Sequence, residues 1–404
     1  MPDRRYKIIF VSPHGTDDPK AASGTAYFFS RALNNYIGDV QSCGALRSRY
    51  MDTKDLRGLF SPWTWLYLFN KAEEIFWRVL GRKHPWYQTP SVAKYLAKKI
   101  EKKLETGDFD LLIADKASVE IAFLKTDLPI VYFSDATFHA MLDYYPSHIN
   151  LSPRSCRFGE MFEAKALQRA DVFVPYSRWA AESAVRDYGV APEKIRRINF
   201  HVRYLEEAQS EVVPERTLDV CKLLFVGVDW ERKGGDIAVE AMKLLNQMGV
   251  PSRLLVCGCP VPEEYRADSR IEEIGFLDKT SPQGKKRYQE LFDSSSFFIL
   301  PTRAECLGLV FADALASGLP VLATDTGGIP DVVEDGETGF LLPLSAEGRE
   351  YAEKIKNVWL NRALYKKFEN KSRERFKERF STEIWKREMN AVIEQALKPR
   401  MPAR

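Results

Sequence analysis

The sequence is poor in cysteine and lacks a long hydrophobic run. Its 404 residues include only six cysteines, and these do not show the paired CxxC spacing of structural zinc sites. They are Cys43, Cys156, Cys221, Cys257, Cys259 and Cys306. The longest aromatic and apolar run, PWTWLYLF at 62–69, is far shorter than the ~20 residues that cross a bilayer. We therefore expect reduced thiols, no metal site and no transmembrane helix.

The chain also lacks a large net charge and a signal peptide pattern. Its 59 basic and 56 acidic side chains give +3, too little to favour nucleic acid as the main partner. The first residues, MPDRRYKIIFVS, run directly into a predicted strand without the apolar region of a signal peptide. These observations predict a cytoplasmic protein.

Positive charge is concentrated near the N-terminus. Residues 1–105 carry 18 Lys or Arg against 10 Asp or Glu, a net +8, so the remainder carries −5. Within this part, residues 56–105 are rich in aromatic residues and lysine. The segment could rest peripherally on an anionic membrane surface and meet a lipid-linked acceptor. It could also form core helices with a solvated lysine face, and we favour that interpretation.

Short apolar runs alternate with helical segments along the whole chain. Continuous apolar strands separated by helices indicate parallel sheets that are covered on both faces. The polar segment 203–219 divides the runs into two sets. We predict an N-terminal Rossmann-like domain over 1–205 and a C-terminal one over 206–377, with a cleft between them. A last helix within 378–404 is expected to pack back on the first domain. The runs are 6–12, 110–115, 129–135, 170–177, 222–228, 252–258, 271–277, 295–301 and 319–325.

The segment from 301 to 343 carries the strongest functional pattern. It follows a predicted strand and continues as a helix whose start we place at Cys306 to Gly308. A helix N-terminus suits a diphosphate because it presents unpaired N–H groups and the positive end of the helix dipole. Glu305 stands at the strand exit, and Asp313 lies about two turns along the helix. The two carboxylates could hold opposite ends of one elongated ligand.

This segment resembles the signature of retaining glycosyltransferases of family 4, which share the GT-B fold of two facing Rossmann-like domains. The family pattern is a Glu, a second Glu eight residues later, a helix of small residues, a Gly-Pro-Val-type strand, a Gly-Gly-x-Pro turn and an acidic glycine loop. The matching residues are Glu305, Asp313, Ala316, Gly318, Pro320, Val321, Gly327, Gly328, Pro330, Asp335, Gly336 and Gly339.

The resemblance implies a donor site for a nucleotide sugar. Glu305 would bind the sugar hydroxyls, and Asp313, in place of the usual Glu, would bind the ribose. The amides of Leu307, Gly308, Leu309 and Val310 would bind the phosphates, and the backbone of Gly275, Phe276 and Leu277 would contact the base.

The segment GVDWERKGG at 227–235 resembles the second donor-binding element of the family. Lys233 matches the family lysine, while Val228 stands where an Arg is usual, so that Arg232 would supply the second cation. Cations at the leaving diphosphate can replace a metal ion, and no cofactor is expected. Surface ion pairs are the alternative for both side chains.

The acceptor side is less clearly marked. Gly24 aligns with the family's N-terminal glycine loop, in which His14 is a weaker candidate. After the strand at 129–135 the family usually shows His-Asp, and this sequence has Ser134 and Asp135. His139 could supply the missing imidazole, or it could be a surface or capping histidine. Asp135 joins Glu305 and Lys233 as our candidate catalytic residues.

Together these features predict a retaining, metal-independent glycosyltransferase in glycan or glycolipid biosynthesis. It would take a UDP-sugar, or alternatively GDP-mannose, and a carbohydrate, lipid-linked or small-molecule hydroxyl acceptor. A GT-B nucleotide-sugar epimerase and a noncatalytic sugar-nucleotide-binding module are the alternatives.

Overall fold

The computed structural model describes residues 5–19, 21–47, 62–200, 216 and 219–398, except for the side chains of residues 22 and 23. The chain divides into two compact units. Unit 1 comprises Met1–Ile198 and Lys386–Arg404, and unit 2 comprises Asn199–Trp385. The boundary that we predicted near residue 206 lies outside the described residues.

Unit 1 is built on a five-stranded parallel sheet with strand order β2-β1-β3-β4-β5. Its strands are β1 (Tyr6–Val11), β2 (Gly38–Ser42), β3 (Leu111–Asp115), β4 (Ile130–Ser134) and β5 (Val172–Pro175). Its helices are α1 (Thr25–Tyr36), α2 (Pro62–Val79), α3 (Pro90–Leu104), α4 (Ser118–Ile121), α5 (Phe138–Met141), α6 (Pro153–Arg169) and α7 (Arg178–Tyr188).

Unit 2 is built on a six-stranded parallel sheet with strand order β11-β10-β9-β6-β7-β8. Its strands are β6 (Cys221–Val226), β7 (Ser252–Cys257), β8 (Ile271–Gly275), β9 (Phe297–Leu300), β10 (Val321–Thr324) and β11 (Gly339–Leu342). The remaining helices of the chain are α8 (Trp230–Lys233), α9 (Gly235–Gln247), α10 (Glu263–Arg266), α11 (Pro282–Ser294), α12 (Leu309–Ala316), α13 (Ile329–Val332), α14 (Gly348–Leu360), α15 (Arg362–Arg379) and α16 (Thr382–Ala396).

The predicted α/β class with parallel sheets is confirmed. Each of the apolar runs overlaps one of the strands, and all residues of β3, β4, β5, β9 and β10 are buried. The carboxyl ends of parallel strands meet at one edge of each sheet, where ligands bind in open α/β folds. The loops that follow β6, β8 and β9 in unit 2, and β1, β3 and β4 in unit 1, therefore carry the candidate site residues.

The end of the chain returns to unit 1. Residues 378 and 379 complete α15, and the last helix, α16, begins at Thr382. From Lys386 onward this helix belongs to unit 1. Gln395 anchors it there, because its Nε2 donates to the Glu193 carbonyl at 2.8 Å while its Oε1 accepts from Arg196. Among the helices in the described part of the chain, none is long and apolar enough to cross a membrane.

Candidate functional site

Glu305 is the centre of the candidate site in unit 2. It lies in the loop between β9 and α12 and is 9% exposed. Lys233, at the end of α8, is equally buried and donates from Nζ to Glu305 Oε2. Arg232 Nη1 lies 3.6 Å from the same oxygen. The structure thus places the predicted sugar-binding carboxylate against both predicted cations.

Two opposing effects act on the Glu305 carboxyl group. Burial alone would raise its pKa, but the charges of Lys233 and Arg232 and the Cys306 N–H outweigh burial and lower the pKa. Glu305 is therefore ionised at neutral pH. The buried carboxylate and the ammonium group neutralise each other.

The short helix α8 is fastened to the loop that carries Glu305. Asp229 caps α8 by accepting from the Arg232 N–H at 3.1 Å. The Arg232 guanidinium donates to the Ala304 carbonyl at 2.9 Å, directly before Glu305. Val228, which replaces the usual Arg, is 65% exposed and precedes this cap. Arg232 is thus fixed beside Glu305 by its own backbone and side-chain contacts.

Helix α12 begins at Leu309, so our placement of its start at Cys306 to Gly308 was wrong. Gly308 is its N-cap with φ 78°, a left-handed conformation that ends the loop and cannot belong to the helix. A Cβ at Gly308 would lie 2.4 Å from the Phe311 ring. The Leu309 and Val310 N–H groups lie in the first turn, where no carbonyl of the helix itself can accept from them.

Asp313 is buried and lies about one turn into α12, not about two turns as predicted. Its Oδ2 accepts from Tyr288 Oη at 2.8 Å. Lys279 Nζ lies 4.8 Å from the centroid of the Tyr288 ring. Lys279 lies shortly after the predicted base-contacting residues Gly275, Phe276 and Leu277. Of these, Gly275 has a left-handed backbone with φ 73°, and the Phe276 side chain is 59% exposed. Sequence reasoning missed Tyr288, which no motif marks.

In unit 1, Lys116 connects two of the predicted acceptor-side elements. It follows β3, and its Nζ donates to Thr25 Oγ1 at 2.8 Å, directly after Gly24 at the start of α1. The same nitrogen lies 3.9 Å from Asp135 Oδ2 at the end of β4. Lys116 has φ 52°, an uncommon conformation for a residue with a side chain. Its position at a strand exit was the signal that sequence reasoning overlooked.

The remaining predicted residues of unit 1 have other partners. The Ser134 hydroxyl is buried and donates to the Ala136 carbonyl at 2.6 Å. His139 is half exposed on α5, with Nδ1 at 2.8 Å from Glu160 Oε1. Partial desolvation and the charges of Arg47 and Lys116 lower the pKa of His14. His14 therefore lies in the field of Lys116, while Ser134 and His139 are held by contacts of their own.

His148 carries an imidazole that sequence reasoning missed. Burial lowers its pKa to about 4, although the charge of Asp135 acts in the opposite direction. The ring is therefore neutral at pH 7 and lies within the field of Asp135. Its ring also packs edge-on against Phe138, with centroids 5.2 Å apart. No motif marks this position.

Two family models match the two halves of the chain. The model for Glycosyltransferase Family 4 matches residues 64–199, and the model for glycosyl transferases group 1 matches residues 211–375. The chain belongs to glycosyltransferase family 4. The second match contains Glu305, Lys233 and α12, which the sequence pattern had singled out.

Curated relatives of this family 4 member are glycosyltransferases of bacteria. It is 32% identical over 198 residues to the D-inositol 3-phosphate glycosyltransferase of Acidothermus cellulolyticus, covering 45% of this chain and 44% of that protein. It is 30% identical over 190 residues to the putative colanic acid biosynthesis glycosyltransferase WcaL of Salmonella typhimurium, covering 44% and 45%. The matched region thus spans a little under half the length of these relatives.

Solved structures show that the family 4 chain has the GT-B fold. The sucrose-phosphate synthase of Thermosynechococcus elongatus has a TM-score of 0.67 at 18% identity, covering 97% of this chain and 99% of that one. Anabaena HepE, solved in complex with UDP and glucose, has a TM-score of 0.59 at 16% identity, covering 96% and 100%.

Proposed function

We propose that this chain transfers a sugar from a nucleoside diphosphate sugar to a hydroxyl acceptor, with retention of anomeric configuration and without a metal ion. The observation that carries this proposal is the ionised Glu305 held between Lys233 and Arg232, next to the N-terminus of α12. Cations, a helix N-terminus and a carboxylate are the groups that a sugar diphosphate needs at its phosphate and sugar ends.

The diphosphate would take over the two cations. When its phosphates bind at the first turn of α12, Lys233 exchanges its carboxylate partner for a phosphate oxygen. Glu305 is thereby released to accept hydrogen bonds from the sugar hydroxyls. As the bond between sugar and phosphate breaks, Lys233, Arg232 and the α12 amides stabilise the charge that grows on the leaving group. In other transferases a metal ion stabilises the charge on the leaving group.

The nucleoside would lie further along the same unit. Asp313, oriented by the Tyr288 hydroxyl, accepts from the ribose hydroxyls, and the backbone of Gly275 to Leu277 contacts the base. We favour a UDP-sugar and keep GDP-mannose as the alternative. The HepE structures in complex with UDP, UDP and glucose, or UDP-glucose support this preference.

The acceptor would be a hydroxyl compound, either a carbohydrate, a lipid-linked molecule or a small polyol. In unit 1, Asp135 accompanied by Lys116 is the carboxylate that could orient it. We propose that the acceptor attacks the same face of the sugar that the phosphate leaves, with a leaving phosphate oxygen taking the proton. The D-inositol 3-phosphate glycosyltransferase and WcaL relatives support acceptors of this class in glycan or glycolipid biosynthesis.

A donor panel tests the reaction. The protein is incubated with UDP-glucose, UDP-N-acetylglucosamine and GDP-mannose, each with sugar and polyol acceptors and with or without EDTA. We expect release of nucleoside diphosphate with one donor, an α-linked product by NMR, and no effect of EDTA. Interconversion of the sugar without release would indicate an epimerase, and binding without turnover would indicate a binding module. Either outcome would overturn the proposal.

A variant separates the role of Glu305 from that of the cations. Glu305→Gln removes the competitor for Lys233, so we expect UDP to bind at least as tightly as to the wild type by calorimetry. Transfer should fall at least about 100-fold because the sugar loses its charged partner. Glu337→Gln, an exposed carboxylate paired with Lys367, is the matched control and should change neither quantity. Full turnover by Glu305→Gln would exclude a central role for this carboxylate.

A further inference from the structure

Helix α2 carries large apolar side chains on the face that points to solvent. Among the exposed large hydrophobic residues in the described part of the chain, half belong to this helix or directly follow it, and they are 46% to 81% exposed. They are Trp65, Leu68, Phe69, Ile75, Phe76, Val79 and Leu80. At 100° per residue, those from Trp65 to Val79 form one stripe about 120° wide and about 21 Å long. We call this the outer stripe.

The opposite face of α2 is already packed. Trp63 stacks on Tyr95 and meets Trp86, while Tyr67 also meets Trp86 and Trp77 stacks on His84. The helix is therefore anchored to unit 1 by its inner aromatic residues. The outer stripe is not needed for that packing, and an exposed contiguous apolar patch of this kind is typical of an interaction surface.

Charge is distributed unevenly around the outer stripe. Both acidic residues of α2 are paired: Glu73, about 40° from one edge of the stripe, with Arg154 at 2.8 Å, and Glu74, on the opposite face, with Lys71 at 2.6 Å. Basic residues border the stripe: Lys71 and Arg78 lie along one side, and the exposed Arg82 and Lys83 follow its C-terminal end. An apolar stripe that contains aromatic residues, has a basic border and has its neighbouring acidic residue neutralised by an arginine complements an anionic lipid surface.

We propose that α2 docks this protein on the surface of an anionic bilayer, with the outer stripe inserted at the boundary between headgroups and acyl chains. The helix would lie in the plane of the membrane, because neither its length nor its composition lets it span the bilayer. The core helix that we favoured at this position is contradicted by the exposure of the outer stripe. That interpretation stays in place for α3, whose apolar residues are buried and whose lysines are largely exposed.

A second copy of the chain suits the stripe less well because of its charge. Two copies would bring the same basic border to the contact, while the acidic residues of α2 are already engaged in ion pairs. An anionic bilayer instead complements the basic border, and each inserted side chain contributes separately.

Flotation of the full chain with vesicles tests the proposal. We expect the protein to float with vesicles of phosphatidylcholine and phosphatidylglycerol, to float weakly with phosphatidylcholine alone, and to be released by high salt. The triple variant Trp65→Ser/Phe69→Ser/Phe76→Ser should lower the partition coefficient at least about tenfold. The control Leu344→Ser/Leu360→Ser removes exposed apolar side chains from unit 2 and should float like the wild type.

Two results would overturn the proposal. One is a triple variant that floats as well as the wild type. The other is wild-type protein that does not float with either vesicle; if sedimentation velocity then shows a lipid-free dimer that is lost in the triple variant, the stripe binds a second copy instead. Far-UV circular dichroism of the triple variant confirms that it is folded. Membrane docking is independent of sugar transfer, so the donor panel and the flotation assay can fail separately.

Discussion

The buried ion pair between Lys233 and Glu305 makes a quantitative prediction for stability. Both side chains are about 90% buried. Removing one partner leaves the other charge buried, which costs about 3–5 kcal/mol. We expect Lys233→Met to cost about 3 kcal/mol, at the low end of that range, since Arg232 still lies 3.6 Å from the carboxylate. Glu305→Gln should cost about 2 kcal/mol, because the amide oxygen still accepts from Lys233.

The double variant Lys233→Met/Glu305→Gln should be no less stable than Lys233→Met alone. Methionine and glutamine leave no unpaired charge, so the two losses do not add and the coupling energy should be about 2 kcal/mol. The two units can unfold separately, and the free energy of unfolding of unit 2 must be measured on its own. Hydrogen exchange of peptides from β6 and β9, followed by mass spectrometry, gives that quantity.

The exposed pair Lys367–Glu337 provides the matched control for this cycle. Its atoms lie 3.0 Å apart, but the side chains are 49% and 39% exposed. The same substitutions, Lys367→Met and Glu337→Gln, should show a coupling energy below about 1 kcal/mol. If the two cycles gave equal coupling energies, the buried ion pair and the competition with phosphate that we derive from it would be refuted.

Three further predictions concern the two units. Gly308→Ala combines left-handed strain of about 1–2 kcal/mol with an overlap with the aromatic ring behind it. It should therefore lower Tm more than Gly336→Ala, which has a similar φ of 76° and open space around it. Burial raises the pKa of Glu163 from 4.5 to about 7. The folded state then holds this proton more tightly, and its contribution to stability falls as pH rises from 4.5 to 7. The free energy of unfolding of Glu163→Gln relative to wild type, measured with urea, should therefore increase by up to about 3 kcal/mol between pH 4.5 and 8. A difference between variant and wild type that does not change with pH would contradict the buried carboxyl group. Lys116→Met should raise the acceptor KM or lower kcat while UDP binding is unchanged, and loss of UDP binding would contradict an acceptor-side role for this residue.

The sequence predicted the interior of both sheets because strands buried on both faces read as continuous apolar runs. It missed β2 and β11, each of which is one edge strand of its sheet, although it predicted the strands at the opposite edges, β5 and β8. The edge strand β2, GDVQS, is short and largely polar, and β11 follows a glycine loop that was interpreted only as a motif. These two strands are defined by their neighbours more than by their own patterns, and a single sequence does not show those neighbours.

The candidate site shows a similar division. Motif spacing identified Glu305 and Lys233, each in its own element, but it could not show that they contact each other. They lie 72 residues apart, and their contact depends on α8 being fastened to the loop after β9. Tyr288 and His148 were missed for the same reason, since only the folded chain brings them near Asp313 and Asp135. Lys116 differs, because its position directly after a predicted strand was a signal in the sequence itself.

The backbone of Lys116 has a consequence for protein engineering. A left-handed conformation costs a residue with a side chain about 1–2 kcal/mol, whereas glycine and asparagine adopt it readily. The chain accepts this strain and keeps an ammonium group between Thr25 and Asp135. A selection for thermostable variants would therefore favour asparagine or glycine at this position. Such variants would gain heat resistance by giving up the cation at the exit of β3, so stability is opposed at this residue to the acceptor-side role that we propose for its neighbour Asp135.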